Sequence, residues 1–377
     1  MPADRVECGP EVIARPGTRH RFLIFCHQRL ATQEIHFLRP LRRARFEGIC
    51  QVALVEESDL DGVGPGKRPR ALAALWRDYR PTLVIFSRYA GPDHTLLIAA
   101  AKAGGTPIVA HTDDDLFEVP GVLGHDKKRF HNAPERVASL AATFTAADLI
   151  YVPTRPLAER IAARGFSAPV VVPPIQICAE PEELTPPVAN DSGSVTIGYM
   201  GSISHQHDLQ DIVPAIERLL ATPPSIRFET FGSIRMPINP DQFPGQTRAH
   251  PPVKDYASFL VRLRDLRWDI GLAPLRPIDF NRFRTYTKWL EYSLGGICVV
   301  ASDSIVYRDV MRDGAGYLVN GDDWFNTLSR LVAEPETRRD CVRIAQERIR
   351  RELGSEPLAA QLLALEDMAR ERATAMC

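Results

Sequence analysis

FNRFRTYTKWLEYSLGGICVVASD, Phe280 to Asp303, is the stretch on which the reading of this chain turns. It has the form of a loop, a helix of about ten residues, a glycine stop and a buried strand. Tyr286, Trp289, Leu290, Ser293 and Leu294 recur at spacings of three and four and make one apolar or small face. Arg284, Lys288 and Glu291 follow the same spacing, which stacks them on the opposite face. Gly295-Gly296 supplies a left-handed stop, and Ile297-Cys298-Val299-Val300-Ala301 is a short apolar run of the kind buried in parallel sheets. Two cations, a carboxylate and a helix start could together hold a sugar nucleotide. The cations and the positive helix end suit a diphosphate, and Glu291 could accept from ribose hydroxyls. An ordinary amphipathic helix with a solvated polar face accounts for the same pattern.

Outward from this stretch, strand and helix patterns alternate. On its N-terminal side, Val195–Met200 is a strand running into Gly201-Ser202. A strand, a small-residue turn and a helix make a phosphate cradle physically possible, because the first helical amides are unpaired. Leu209, Ile212, Val213, Ile216, Leu219 and Leu220 give that helix its apolar face, and Pro214 is expected to kink it. His205, His207 and Asp208 have the chemistry of metal ligands, and equally of neutral hydrogen-bonding groups. Further strands read at Arg227–Gly232, Asp269–Pro274 and Gly316–Val319. Further helices read at Tyr256–Leu266, Tyr307–Met311, Trp324–Leu331, Pro335–Arg351 and Pro357–Arg372.

The N-terminal half has the same pitch, with strands at Arg21–Cys26, Val52–Val55, Leu83–Phe86, Pro107–Ala110, Asp148–Thr154 and Val170–Val172. Such alternation implies right-handed crossovers and a doubly wound parallel sheet, with ligands beyond the carboxyl ends of the strands. That rule nominates Cys26–Arg29, Ser87–Tyr89 and His111–Asp115 as one rim. Asp113-Asp114-Asp115 invites a divalent-metal reading. Consecutive residues converge on one ion only through an unusual turn, so a loop or helix cap is the alternative. Gln33 to Phe46 has helical spacing interrupted by Pro40, with Arg39, Arg42, Arg43 and Arg45 crowding one side. Such a basic face is plain solvated surface, or a contact for anionic lipid headgroups or a lipid diphosphate acceptor. Between Pro173 and Gly193, proline, glutamate and small polar residues replace the apolar pattern, as in a linker. The expected division is an N-terminal domain over 1–180, a linker over 181–193, a second domain over 194–355 and a closing helix over 356–377.

A chain of 377 residues is long enough for two domains with separate cores. A formal net charge of −1 provides no global field for nucleic acid or membrane. The seven cysteines, from Cys8 to Cys377, show no paired spacing, which speaks against a disulfide framework or a zinc site. No apolar signal-peptide core opens the chain and no segment approaches about eighteen uninterrupted apolar residues. The expectation is a cytosolic protein, or one peripheral on the inner face of a membrane.

Two motifs carry a family resemblance. K-x-L-E-Y-x-x-x-G-x-x-V-V-A-S, Lys288 to Ser302, resembles the donor-site helix of nucleotide-sugar glycosyltransferases of the GT-B fold, especially the retaining family 4 type. IGYMGSISHQHDL, Ile197 to Leu209, resembles the opening of their donor domain, and Asp148–Thr154 resembles the segment closing their N-terminal sheet. Two departures stand out. The family commonly carries two glutamates eight positions apart; Glu291 fits the second, but Phe283 stands at the first. Ser204, His205, Gln206 and His207 stand where many relatives place an arginine and a lysine for the diphosphate, which shifts that load toward Arg284 and Lys288.

The resemblance implies an α/β chain of two Rossmann-like, doubly wound parallel-sheet domains facing across a cleft. Its last helix would cross back to the N-terminal domain. It implies a nucleoside diphosphate sugar as co-substrate, no other cofactor and no metal. The donor would be held by Gly201, Ser202, His205, Phe231, Gly232, Asn281, Arg284, Lys288 and Glu291. His27, Arg88 and Asp114 would meet a glycan or lipid-linked acceptor, and His111, Asp113 and Lys288 would serve catalysis. The same cleft could serve a GT-B epimerase, which needs carboxylates placed to move a sugar proton, or a two-domain binding protein.

Overall fold

A computed structural model describes residues 7–9, 12–187, 193–222, 226–321 and 323–375. Cys377 and linker positions 188–192, both read from the sequence, lie outside the described residues. The chain divides into two compact units. The first comprises Met1–Val119, Arg129–Cys178 and Ser355–Cys377; the second comprises Pro120–Lys128 and Ala179–Gly354.

Among the described residues the first unit holds β1 (Glu7–Cys8), β2 (His20–Cys26), β3 (Cys50–Glu56), β4 (Leu83–Ser87), β5 (Ile108–His111), β6 (Leu149–Tyr151) and β7 (Val170–Val171). They form one sheet in the order β1-β3-β2-β4-β5-β6-β7, and every pairing is parallel. Central strands such as Phe22–Cys26 are buried on both faces, which is why they read as unbroken apolar runs. The closing helix Ser355–Ala375 contributes Leu358, Leu362 and Leu365 to the same buried core as Phe22, Ile24 and Leu83. Its Glu366 accepts from Thr82 Oγ1 at 2.7 Å and lies 3.0 Å from His20 Nδ1.

The second unit holds β8 (Val195–Gly201), β9 (Ile226–Gly232), β10 (Thr247–His250), β11 (Ile270–Ala273), β12 (Cys298–Ser302) and β13 (Tyr317–Val319). Their order, β10-β9-β8-β11-β12-β13, is again parallel throughout. Each sheet therefore has one point where the strand order reverses, β2/β4 in the first and β8/β11 in the second. Open α/β sheets bind ligands at that point.

Several local expectations are corrected. The helical spacing of Gln33–Phe46 is interrupted at Pro40 as read, a π-helical turn, Glu34–Leu38, and a short helix, Arg42–Phe46, lying on either side, but its basic face is not as read. Arg45 is buried and donates to the Leu38 carbonyl at 3.2 Å, so Arg39, Arg42, Arg43 and Arg45 do not form one exposed basic face. Pro214 opens a separate helix, Val213–Leu220, rather than kinking a longer one. Tyr307–Met311 is a run of turns. β10 escaped the sequence because TRAH, a sheet-edge strand with Arg248 and Ala249 exposed, carries no apolar run. Among the described residues no helix is long and apolar enough to cross a membrane.

Candidate functional site

The reversal point of the second sheet is built by two glycines and two large rings. Pairing between β8 and β11 runs through Ile197–Ile270 and Gly198–Gly271. Beyond it, the Tyr292 hydroxyl accepts from Met200 N at 3.0 Å and donates to the Leu272 carbonyl at 3.1 Å. A Cβ at Gly271 would lie 2.7 Å from the Tyr292 ring, and one at Gly198 would lie 1.9 Å from Trp268. Both rings therefore need glycine beside them.

The turns after β8 and β9 close over this point. Gly232 has φ +112°, and a Cβ there would stand 2.3 Å from the Gly201 carbonyl oxygen, which accepts from Ser233 N at 3.1 Å. Ser233 Oγ accepts in turn from Ile203 N at 3.1 Å. Ser202 is exposed, its hydroxyl 2.8 Å from that of Ser204. Phe231 is buried and stacked on Phe259 at 5.2 Å, so its ring is committed to packing.

Four side chains close a hydrogen-bonded ring beside these turns. Asp208 Oδ1 accepts from Arg276 N and from Asn281 Nδ2, each at 3.0 Å. Asn281 Oδ1 accepts from Arg284 Nε at 2.9 Å, and Arg284 Nη1 donates to His205 Nε2 at 3.2 Å. A guanidinium only donates, so His205 Nε2 accepts and its proton sits on Nδ1, 3.2 Å from Asp208 Oδ2. Burial, then the charges of Lys288, Arg284 and Lys127, hold the imidazole well below its usual range, hence neutral. Both ring nitrogens are used within the protein, which removes the metal-ligand reading of His205 and Asp208. Among the described residues no group of three or more His, Cys, Asp or Glu is arranged to hold a metal ion. One donor is left over: Arg284 Nη2 is buried and meets no acceptor among the described residues.

Arg284 is not on the helix, as its spacing suggested. It sits with φ −68° and ψ 158° in an extended link between the turn Asp279–Phe283 and the helix Thr287–Leu294. That helix has no solvated face, because Trp289 to Leu294 are all buried, Glu291 with them at 6% exposure. Only Thr287 and Lys288 are half-buried. Lys288 Nζ lies 5.5 Å from the Tyr199 ring centre. Burial and the neighbouring Arg284, opposed by Glu291 and Asp208, lower its pKa to about 8.

The rim of the first unit is differently made. His111 is fully buried, its Nδ1 3.0 Å from Ser87 Oγ, which itself accepts from Gln33 Nε2 at 3.0 Å. Asp113 accepts from Arg88 Nη1 at 2.7 Å and from Thr32 Oγ1 at 2.7 Å. Burial opposes its ionisation, but Arg88, His36, His111 and Thr32 outweigh that and hold the carboxyl well below the usual carboxylate range. Asp114 stands 3.8 Å from Arg88 Nη1, and its carbonyl accepts from Thr112 Oγ1 at 2.6 Å. Asp115 turns away to Arg160 and Arg164, each at 2.8 Å. The three aspartates thus diverge and do not surround one ion. His27 Nδ1 lies 2.7 Å from Glu57, which also pairs with Arg136.

Of the residues nominated from sequence, the structure joins His205, Asn281 and Arg284 directly and sets Lys288 and Glu291 beside them. Sequence reasoning missed Asp208 as the hub and Tyr292 as the bridge between strands. Gly198 and Gly271, glycines inside strands, were the visible signal for the close ring packing.

No protein-family model matches the sequence, and no curated protein sequence matches it. Solved structures do. The sucrose-phosphate synthase of Thermosynechococcus elongatus superposes with a TM-score of 0.63 at 12% identity, over 92% of this chain and 98% of that one. HepE of Anabaena, solved in complex with UDP-glucose, gives 0.61 at 12%, over 91% and 98%. A glycosyltransferase from Rickettsia africae gives 0.62 at 9%, over 93% and 98%. At such identities the likeness is one of fold, the two Rossmann-like units of GT-B.

Proposed function

We propose that this chain is a glycosyltransferase akin to the retaining family 4 type. It moves a sugar from a nucleoside diphosphate sugar to a hydroxyl of a glycan or glycolipid, in surface polysaccharide or glycoconjugate assembly at the cytoplasmic side. The observation that carries the reading is Arg284, locked by His205 and Asn281 with one buried donor, Nη2, that meets no acceptor among the described residues. Leaving such a group unmatched costs about 1–3 kcal/mol, more for a charged one, so the geometry favours an anionic ligand. HepE, with the same fold, was solved with UDP-glucose, which supports a nucleotide sugar as that ligand.

In this reading residues 194–355 hold the donor and residues 1–180 the acceptor. As the glycosidic bond breaks, negative charge grows on the diphosphate. Arg284, Lys288 and the free amides at the start of Thr287–Leu294 stabilise that charge without a metal. Glu291 accepts from the ribose, while Gly201, Ser202 and Gly232 let the backbone approach the donor. Phe231, packed on Phe259, shapes the base end. Asp113, ionised and tied to Arg88, is a hydrogen-bond acceptor for a sugar or acceptor hydroxyl and a weak proton acceptor. His111, enclosed behind it, positions the loop, and His27, Arg88 and Asp114 line the acceptor side. Thermal-shift screening against a nucleotide-sugar panel, followed by nucleotide release with and without glycan acceptors under chelator, tests this. A stabilising nucleotide sugar and acceptor-dependent release of its nucleoside diphosphate are expected. No stabilisation by any of them sinks the reading, and release that disappears under chelator and returns with magnesium sinks its metal-free part.

A further inference from the structure

We infer that Gln346 is a positioning residue for the donor site, holding the helix Thr287–Leu294 at its carboxyl end; the inference rests on the donor reading above. The helix Pro335–Glu352 buries Val342, Ala345 and Ile349 at spacings of three and four. Gln346 lies beside them at 4% exposure. A buried side-chain amide needs partners. Gln346 Nε2 has two, donating to the Thr185 carbonyl at 2.6 Å and to the Ser293 carbonyl at 2.9 Å.

The two carbonyls belong to different segments. Ser293 is in the last turn of the helix that carries Lys288 and Glu291, and Thr185 is in the segment by which the chain enters the second unit. Thr185 N donates to the Leu294 carbonyl at 2.8 Å, one of the acceptors that a helix end leaves without an internal partner. Gly296, at φ +73°, lets the chain pass there, because a Cβ would stand 2.3 Å from the Pro186 oxygen. Gln346 thus ties the helix end and the segment crossing it to Pro335–Glu352. Two further bonds hold this helix, from Trp289 Nε1 to the Ala315 carbonyl at 2.7 Å and from the Tyr292 hydroxyl to the Leu272 carbonyl at 3.1 Å. Neither reaches the carboxyl end. Glu291 stands two residues before Ser293, so a shift of that end carries its carboxylate along. A binding group must be held within about 0.5 Å of its working position, which a loosened helix end does not provide.

The test is calorimetric binding of UDP, GDP, ADP and dTDP to the wild type, Gln346→Met, Gln346→Lys, Cys341→Ala and Glu291→Ala, and to Gln346→Met in the Glu291→Ala background. Losing both bonds behind the helix should weaken the preferred diphosphate about tenfold in Gln346→Met. Gln346→Lys still offers donors at a helix carboxyl end and should recover most of the loss. Cys341→Ala, a core truncation on the same helix, should lower the melting temperature without changing affinity. Because the effect runs through Glu291, Gln346→Met should cost about threefold or less where Glu291 is already alanine. Should Gln346→Met not fold, Gln346→Ala, which admits water to both carbonyls, takes its place. A folded variant at 346 that binds diphosphate like the wild type overturns the inference and leaves the donor reading intact. So does an equal loss in Cys341→Ala, which would make the effect one of stability alone, and so does a full tenfold loss in the Glu291→Ala background. A wild type that binds none of these nucleotides takes the donor reading down with it.

Discussion

The two reversal points occupy equivalent places in two sheets of the same design and treat charge in opposite ways. In the first unit the ionised side chains near the strand ends have partners of their own. Asp113 has Arg88, Asp115 has Arg160 and Arg164, and Glu57 has His27 and Arg136. In the second unit two cations, Arg284 and Lys288, stand close to one another, with Glu291 and Asp208 as the carboxylates facing Lys288. Among the described residues a buried guanidinium nitrogen without an acceptor occurs on both sides, Arg284 Nη2 here and Arg136 Nε and Arg164 Nε in the first unit, so what sets the second unit apart is Lys288, held where its charge is disfavoured. A rim whose charges are paired side chain to side chain is electrostatically quiet. An under-neutralised one stores a preference for an anion, because binding it relieves repulsion already present in the free protein.

Replacing one residue on each side breaks this comparison most directly. Lys288→Met keeps the aliphatic stem and removes charge needed most as the leaving diphosphate forms, so kcat should fall about 10²–10³-fold. The melting temperature should hold or rise, because the lysine's environment disfavours its charge. Steady-state kinetics beside a melting curve decides it, and a folded variant with near-normal kcat would return this helix to structural duty. Asp115→Ala should behave in the opposite way. Among the described residues its carboxylate is seen with Arg160, Arg164 and the Phe117 amide, so urea denaturation should show a loss of about 2–3 kcal/mol while donor KM stays unchanged.

Smaller effects sharpen the contrast. Glu291→Ala, with Glu291→Gln as the volume-conserving partner, should raise donor KM by about 2 kcal/mol, roughly 30-fold, through loss of a charged acceptor. Unchanged donor kinetics in folded variants would remove the ribose assignment. The smallest effect is one of pH. Lys288, faced by Arg284, Glu291, Asp208 and the neutral His205, titrates near 8. Below that pH it is charged and attracts the diphosphate; above it the charge is lost. Nucleoside diphosphate affinity should therefore decline as pH rises through about 8, by at most about tenfold per unit. Binding above that pH should take up a proton, because the bound anion raises the lysine's pKa again. Calorimetry in buffers of different ionisation enthalpy measures the uptake, and affinity that is flat between about pH 7 and 9 contradicts the assignment.

How much was legible follows from the range of the interactions concerned. The alternation of apolar runs with helical spacings marks β2, β4, β5, β8, β11 and β12, because each central strand is buried on both faces and each crossover helix on one. The ends of elements were less clear. Arg284 has helical spacing to Lys288, yet the link after Asp279–Phe283 draws it out of the helix to reach Asn281 and His205. Arg45 shares the spacing of its exposed neighbours but turns inward to the Leu38 carbonyl. Edge strand β10 depends on pairing with β9, and no local apolar pattern announces it.

The sequence alone determined the alternation of α and β, the two-part organisation and a helix bearing Lys288 and Glu291 before a buried strand. These follow from periodicities of two and 3.6 residues, which are local properties. Only the tertiary structure decided that Asp208 joins His205 to Asn281, that Glu291 is enclosed and not solvated, and that Arg284 reaches His205. Residues 205 and 284, or 208 and 281, are neighbours through packing and not through spacing. Their hydrogen bonds form across a low-dielectric interior, between groups that the order of residues along the chain does not bring together.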